Sequence, residues 1–284
     1  EQVARHPLVS GVRLNTVMPT KGKLEDVLKR MQDQAQGKDI WIDLKGRQLR
    51  VEGYWVPPFT EIQVSHEVEL DAPATAYFRD GKEHATVVAV KKDRLILDGG
   101  IRRIIGPGES VNIPDASLRI HGYLTDLDKR YIEAAENTGI KTYMLSFVEQ
   151  GADLASLGID DLDVIAKIES KAGLGFARSS AYRAEPVRLM AARGDLYVEV
   201  ERPHQIAGAV RSIIDADPAA IVGSRILESM AQGPEPSCQD ISDIAYLMSI
   251  GYKTYMLGDH VCLQEESVMG ALNVLYAMGN DYGE

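Results

Sequence analysis

Cysteine is almost missing from this chain: two residues, Cys238 and Cys262, occur among 284. Neither belongs to a CxxC pair or stands beside a histidine cluster, which argues against a disulfide scaffold or a zinc site and for a reducing, cytoplasmic setting. Long apolar stretches are lacking too, with no run of the roughly 18 residues that a membrane-spanning helix needs. The segment from Glu1 to His6 is charged and has no apolar stretch of the kind a secretion signal carries, so no membrane partner is expected. Positive charge is in deficit: 31 Lys and Arg against 42 Asp and Glu give a net charge of −11. Such a surface repels nucleic acid and anionic lipid, and neither is expected as a partner. No GxGxxG or Walker loop follows the first strand, which disfavours the dinucleotide and P-loop classes.

What is present reads as an ordinary globular protein, with 45% hydrophobic and 26% charged residues. The length suits one large α/β barrel or two smaller domains, and one barrel with an insert is the expectation. Val9 to Leu14 and Asp39 to Leu44 have strand character. Between them Leu24, Val27, Leu28 and Met31 recur at helical spacing over Lys23 to Gln36. From Val51 to Asn112 that period disappears. Short alternating runs replace it, at Glu61 to Val64, Thr75 to Phe78, Thr86 to Val90 and Arg94 to Leu97, with turn signals at Asp80-Gly81 and Asp98-Gly99-Gly100. Residues 51–112 are therefore expected as a small all-β domain, inserted into a barrel made of 1–50 and 113–284. Lys91-Lys92 reads as a solvated turn.

Beyond Ser117 the helix and strand alternation returns. Thr125, with Asp128 three positions on, predicts a capped helix to about Asn137. The segment Gly139 to Leu145 is echoed by Gly251 to Leu257, as two barrel strands under the same packing demands would be. Val164 to Ile168, Val187 to Ala191, Ala219 to Gly223 and Thr254 to Leu257 read as strands, separated by helices such as Pro203 to Asp215 and Ser237 to Ser249. This order implies a parallel sheet, with Met144, Met190 and Met256 in its core. Lys167-Ile168-Glu169 and Arg193-Gly194-Asp195 then fall at the carboxyl ends of successive strands, where α/β barrels carry their chemistry. A Glu, an Asp and a Lys there suit a hard divalent cation bridging an anionic substrate.

Seven ordered segments resemble pyruvate kinase motifs: Val12 to Asn15, Asp43 to Gly46 with Arg50, Ser110 to Pro114, Ala166 to Glu169, Ala192 to Leu196, Leu227 to Met230, and Met256 to Asp259. The resemblance implies a (β/α)8 TIM-type barrel with the small β domain after an early strand. It further implies that Glu169 and Asp195 bind Mg2+ or Mn2+, and that Lys167 faces the transferred phosphoryl group or an enolate. Backbone N–H groups of Gly194 and Asp195 would hold a substrate carboxylate, and Ser224 would stand near the carbon that is protonated. Arg13 would contact phosphate and Arg50 would lie near the phosphates of a nucleotide. A small keto acid or enol phosphate is the implied ligand, in a homo-oligomeric, cytoplasmic enzyme.

The chain also departs from the family pattern. Val17 and Leu44 stand where two oxygen ligands of a potassium ion are expected, Glu109 replaces a lysine facing the nucleotide, and neither the usual first strand nor a carboxyl-terminal regulatory domain is recognised. The same metal and lysine serve either phosphoryl transfer or a metal-assisted lyase or aldolase acting on a 2-keto acid, both through a metal-stabilised enolate. A third reading is a non-catalytic barrel that binds a metabolite or a protein partner. Arg193 is assigned to packing, an ion pair or a subunit interface, Asp43 to structure, and the adjacent Asp259 and His260 are a weak acid/base candidate because neighbours rarely point to one place.

Overall fold

Continuous apolar runs become strands covered on both faces, and alternating runs become strands with one wet face. The computed structural model describes residues 2–159, 161–179, 181–184 and 187–282, with Ala181 and Ala184 described by backbone alone. The chain opens with helix α1 (Gln2–Arg5), strand β1 (Gly11–Asn15), helix α2 (Leu24–Gln34) and strand β2 (Asp39–Leu44). Eight strands then follow without an α-helix: β3 (Val51–Glu52), β4 (Glu61–Val64), β5 (Val68–Glu69), β6 (Ala74–Phe78), β7 (Glu83–Lys91), β8 (Arg94–Asp98), β9 (Val111–Asn112) and β10 (Arg119–Ile120). Alternation resumes with α3 (Asp126–Thr138), β11 (Thr142–Leu145), α4 (Gly151–Ala155), β12 (Asp163–Ile168), α5 (Lys171–Arg178), β13 (Val187–Ala192) and α6 (Arg193–Glu199). The remaining elements are α7 (Ile206–Ala216), β14 (Ile221–Gly223), α8 (Cys238–Ser249), β15 (Thr254–Met256), α9 (Asp259–Cys262) and α10 (Glu265–Tyr282).

Seven strands form one parallel sheet in the order β1-β2-β11-β12-β13-β14-β15. Its helix-facing side carries the largest core, including Ile42, Leu44, Ala166, Ile168, Ala191 and Val222. Alternate residues point the other way, so Trp41, Met144, Ile165, Met190 and Ile221 form a separate inner cluster with Met256 against it. A second, antiparallel sheet runs β3-β4-β8-β7-β6-β9, with a hydrophobic cluster of its own that includes Ile62, Phe78, Val87 and Leu95. Lys92 lies at the tight turn between β7 and β8 with φ 57°.

The parallel sheet is a half-barrel, with seven strands among the described residues where eight were expected. Among the described residues β1 and β15 do not pair with each other, and the segment before β1 is the helix α1. The seam between them is a cavity of about 1020 Å³ with Gly11 and Val12 on one side and Thr254 and Tyr255 on the other. All residues of β1 and β15 are half-exposed, whereas β12 is buried from Val164 to Ile168. No helix among the described residues is long and apolar enough to cross a membrane.

Candidate functional site

The carboxyl ends of the parallel strands gather a set of buried charges. On β12 the alternation that sends Ile165 to the inner cluster also sends Lys167 inward, two residues later. Its ammonium lies 2.9 Å from Ser146 Oγ, 3.2 Å from Glu169 Oε1 and 3.3 Å from Asp43 Oδ1. Asp43, at the end of β2, is fully buried and receives two further cations: Lys45 Nζ at 3.1 Å and Arg13 Nη1 at 3.0 Å. Burial alone would raise the Asp43 carboxyl, but Lys167, Lys45 and Arg13 outweigh it and hold the group far below the usual carboxylate range. The same carboxylate, with Glu169, raises Lys167 against the effect of burial. For Lys45 burial prevails over Asp43, and its pKa falls to about 8.

The loop that carries Lys45 is fixed from outside the sheet. Asp128 closes a capping box with Thr125 at the start of α3, as the sequence predicts, and also accepts from Lys45 N at 2.9 Å and Gly46 N at 3.1 Å. Gly46 has φ 49°, and a Cβ there would lie 2.7 Å from the Tyr123 ring and 2.8 Å from Ser146 O, so glycine is required. A cap that satisfies a helix end thereby sets the position of a buried lysine.

Asp195, in the first turn of α6, has a different environment. Its two oxygens accept from neutral amides, Gln48 Nε2 at 2.8 Å and Asn112 Nδ2 at 3.1 Å. Glu169 is 1% exposed and accepts from Phe147 N at 2.8 Å, an amide aimed by the left-handed backbone of Phe147 at φ 52°. Burial, with the Asp195 charge, raises the Glu169 carboxyl to about 7 despite Lys167 beside it. Glu199, one turn beyond Asp195 on α6, is raised to about 8 by burial and by Asp195 and Glu149, offset in part by Asn112. The site is therefore polarised: three cations converge on Asp43, while Glu169 shares Lys167 with Asp43 and Asp195 accepts from neutral amides.

That polarity fits a divalent cation. No group of three His, Cys, Asp or Glu among the described residues is placed to hold a metal without help. A hard cation such as Mg2+ nevertheless takes one or two carboxylates and fills its remaining positions with water and substrate oxygens. Glu169, destabilised as an anion, and Asp195, held by neutral donors, are the residues that fit it.

The other expected residues fall around this group. Arg13 belongs to it directly. Arg50 is joined at one remove, donating to Gln48, which in turn donates to Asp195. Ser224, with φ 67°, lies against Gly194: a Cβ on Gly194 would be 3.4 Å from Ser224 Oγ. Arg193 turns away, donating to both oxygens of Asp243 at 2.7 and 2.8 Å and to the Ser224 carbonyl at 2.9 Å. Asp259 and His260 diverge: Asp259 accepts from Arg13 and Asn15, while His260 Nδ1 is 3.8 Å from Glu228. Glu109 does not stand as a bare negative charge, since Arg103 pairs with both of its oxygens. Leu44 is fully buried in the helix-side core and offers no side-chain oxygen.

Sequence reasoning passes over Lys45, Gln48, Asn112 and Ser146. Lys45 and Asn112 lie inside segments that resemble family motifs, but Gln48 and Ser146 carry no local signal. Their contacts with Asp195 and Lys167 span 147 and 21 positions.

An α/β fold with a parallel half-barrel sheet and a charged site at its strand ends defines the class. A family model described as "Pyruvate kinase, barrel domain" matches residues 63–263. A pyruvate kinase of Borreliella burgdorferi is 26% identical over 283 residues, covering 88% of this chain and 58% of the relative. One of Methanocaldococcus jannaschii is 27% identical, covering 90% of this chain and 61% of the relative, and one of Thermoplasma acidophilum is 30% identical over 84% of this chain and 40% of the relative. The chain belongs to the pyruvate kinase family. It spans 58% and 61% of the length of the first two relatives.

Proposed function

We propose that this chain acts on a pyruvate- or phosphoenolpyruvate-like substrate as a magnesium-dependent enzyme of the pyruvate kinase type, with residues 51–112 as a separate β domain over the site. The observation that carries this reading is the pairing of a cation-rich pocket around Asp43 with two neighbouring carboxylates, Asp195 on neutral amides and Glu169 with one oxygen on the shared Lys167. A divalent cation bound by those two would neutralise charge on the oxygens of an enolate and of a phosphoryl group. Lys167 stabilises negative charge developing on the other side, held in register by Asp43 and Ser146. Arg13 binds the phosphate, the first-turn amides of Gly194 and Asp195 orient the carboxylate, and Ser224 delivers a proton to the enol carbon. Val17 and Leu44 supply no ligand to potassium, and the Asp43 carboxylate already has three internal cations. The proposal therefore includes independence from added potassium. With Arg103 neutralising Glu109, the nucleotide side is not barred by repulsion, which keeps phosphoryl transfer ahead of carbon–carbon cleavage.

Calorimetric titration with oxalate in the presence of Mg2+ tests the site: wild-type protein binds, and Asp195→Ala does not. Absence of metal-dependent oxalate binding to the wild type would favour a non-catalytic barrel. Formation of ATP from phosphoenolpyruvate and ADP, at equal rates in potassium and in tetramethylammonium, is the expected activity. Aldol cleavage of a 2-keto acid without ATP formation would favour the lyase.

A further inference from the structure

Arg13 sits on β1, an edge strand whose outer side faces the seam, yet its guanidinium is held from two sides. Nη1 donates to Asp43 Oδ2 at 3.0 Å, and Nη2 donates to Asp259 Oδ1. Asp259 follows β15, across the seam, and its second oxygen accepts from Asn15 Nδ2 at 2.8 Å. One carboxylate thus grips two residues of β1, Arg13 and Asn15, where no backbone ladder joins the two strands among the described residues. Arg13 is 16% exposed, while Asp259, at 45%, stands at the rim and has no other charge partner within ion-pair distance among the described residues.

We propose that Asp259 is a positioning residue, which acts through Arg13 by fixing the guanidinium for a phosphate-bearing ligand. This rests on the phosphate role proposed for Arg13. A guanidinium carries five N–H donors in a rigid plane. Bonds from Nη1 and Nη2 to carboxylates on opposite sides fix that plane and leave further N–H groups for an incoming oxyanion. Without Asp259 the arginine keeps the Asp43 bond but can swing about it, on a strand whose neighbouring side is open cavity. The inward lysines do not share this dependence, because Lys167 and Lys45 are buried and are bonded by groups other than Asp259. The loss is therefore confined to ligands that need Arg13.

The experiment compares phosphoenolpyruvate, which carries a phosphate, with oxalate, which does not, each titrated with saturating Mg2+ into wild type, Asp259→Ala, Asp259→Glu, Arg13→Gln and the double variant Arg13→Gln/Asp259→Ala. Asp259→Ala should weaken phosphoenolpyruvate binding about tenfold, as loss of support for one charge-assisted hydrogen bond would. Oxalate affinity should stay within about twofold, the size of a small surface change. Asp259→Glu should restore part of the loss, and adding Asp259→Ala to Arg13→Gln should cost nothing further. Equal weakening of both ligands, unchanged phosphoenolpyruvate binding, or a full additional loss in the Arg13→Gln background overturns the assignment. A wild-type protein that binds neither ligand overturns the site reading first, an outcome visible before any variant is made.

Discussion

Asn112 donates its side-chain amide to Asp195 Oδ1 across 3.1 Å, linking the last strand of the antiparallel sheet to the helix that follows β13. Asn112 is 2% exposed, so this bond is shielded from water, and it holds an anion without neutralising it. If Asp195 holds the proposed cation, Asn112 is placed to orient that carboxylate while preserving its charge.

Asn112→Ala is expected to lower Mg2+ affinity, measured calorimetrically with oxalate present, by roughly 10–100-fold. Gln48→Ala should do the same from the other oxygen. Far-ultraviolet circular dichroism should be unchanged in both. Unchanged affinity in both variants would mean that Asp195 needs no support from the antiparallel sheet.

Asp43→Ala should destabilise the fold severely. It removes the counter-charge of Lys167, Lys45 and Arg13 at a fully buried position, leaving two buried ammonium groups short of a partner. Breaking a buried ion pair in this way costs about 3–5 kcal/mol. Urea unfolding should show the midpoint falling accordingly, and Asp43→Asn should be intermediate. A loss below about 1 kcal/mol would show that the cluster is solvated and not a structural core.

Glu199 provides a pH signature. Its folded pKa of about 8 lies above the ordinary glutamate value of 4.5, so between those limits the folded state holds more protons than the unfolded one. Its contribution to stability is therefore fully present below about pH 4.5 and is lost as pH rises toward 8. Glu199→Gln should raise the melting temperature at pH 8 by about 3 °C relative to wild type, with the gain vanishing near pH 4.5. A gain that is constant across pH would assign the effect to something other than ionisation.

Much of this was legible in the chain itself. Asp39 to Leu44 and Glu61 to Val64 are strands at the expected residues, and Thr125 and Asp128 form the expected box, because each is governed by period or by neighbours three residues apart. The placement of Lys167 on β12, Glu169 just beyond it and Asp195 just after β13 was legible from the strand pattern, and the structure pairs Lys167 with Glu169 at 3.2 Å. The two-residue strands β3, β5, β9 and β10 were not, for two residues have no period to read. The partnership of Asp259 with Arg13 spans 246 positions and depends on how the sheet's two ends face each other, which no local pattern encodes. The amides on Asp195 were hidden for the same reason, as was the helix cap that holds Lys45.

The seam between β1 and β15 also leaves two strand edges unpaired among the described residues. Each edge presents backbone donors and acceptors in the same polarity, a template that recruits extended chain wherever it is met. Unpaired strand edges thus add to exposed apolar side chains such as Tyr54 and Leu263 as routes to association. The net charge of −11 works against it, keeping copies apart by repulsion that salt would screen. Added salt is therefore expected to favour association through these edges, a trend that light scattering across ionic strength would check.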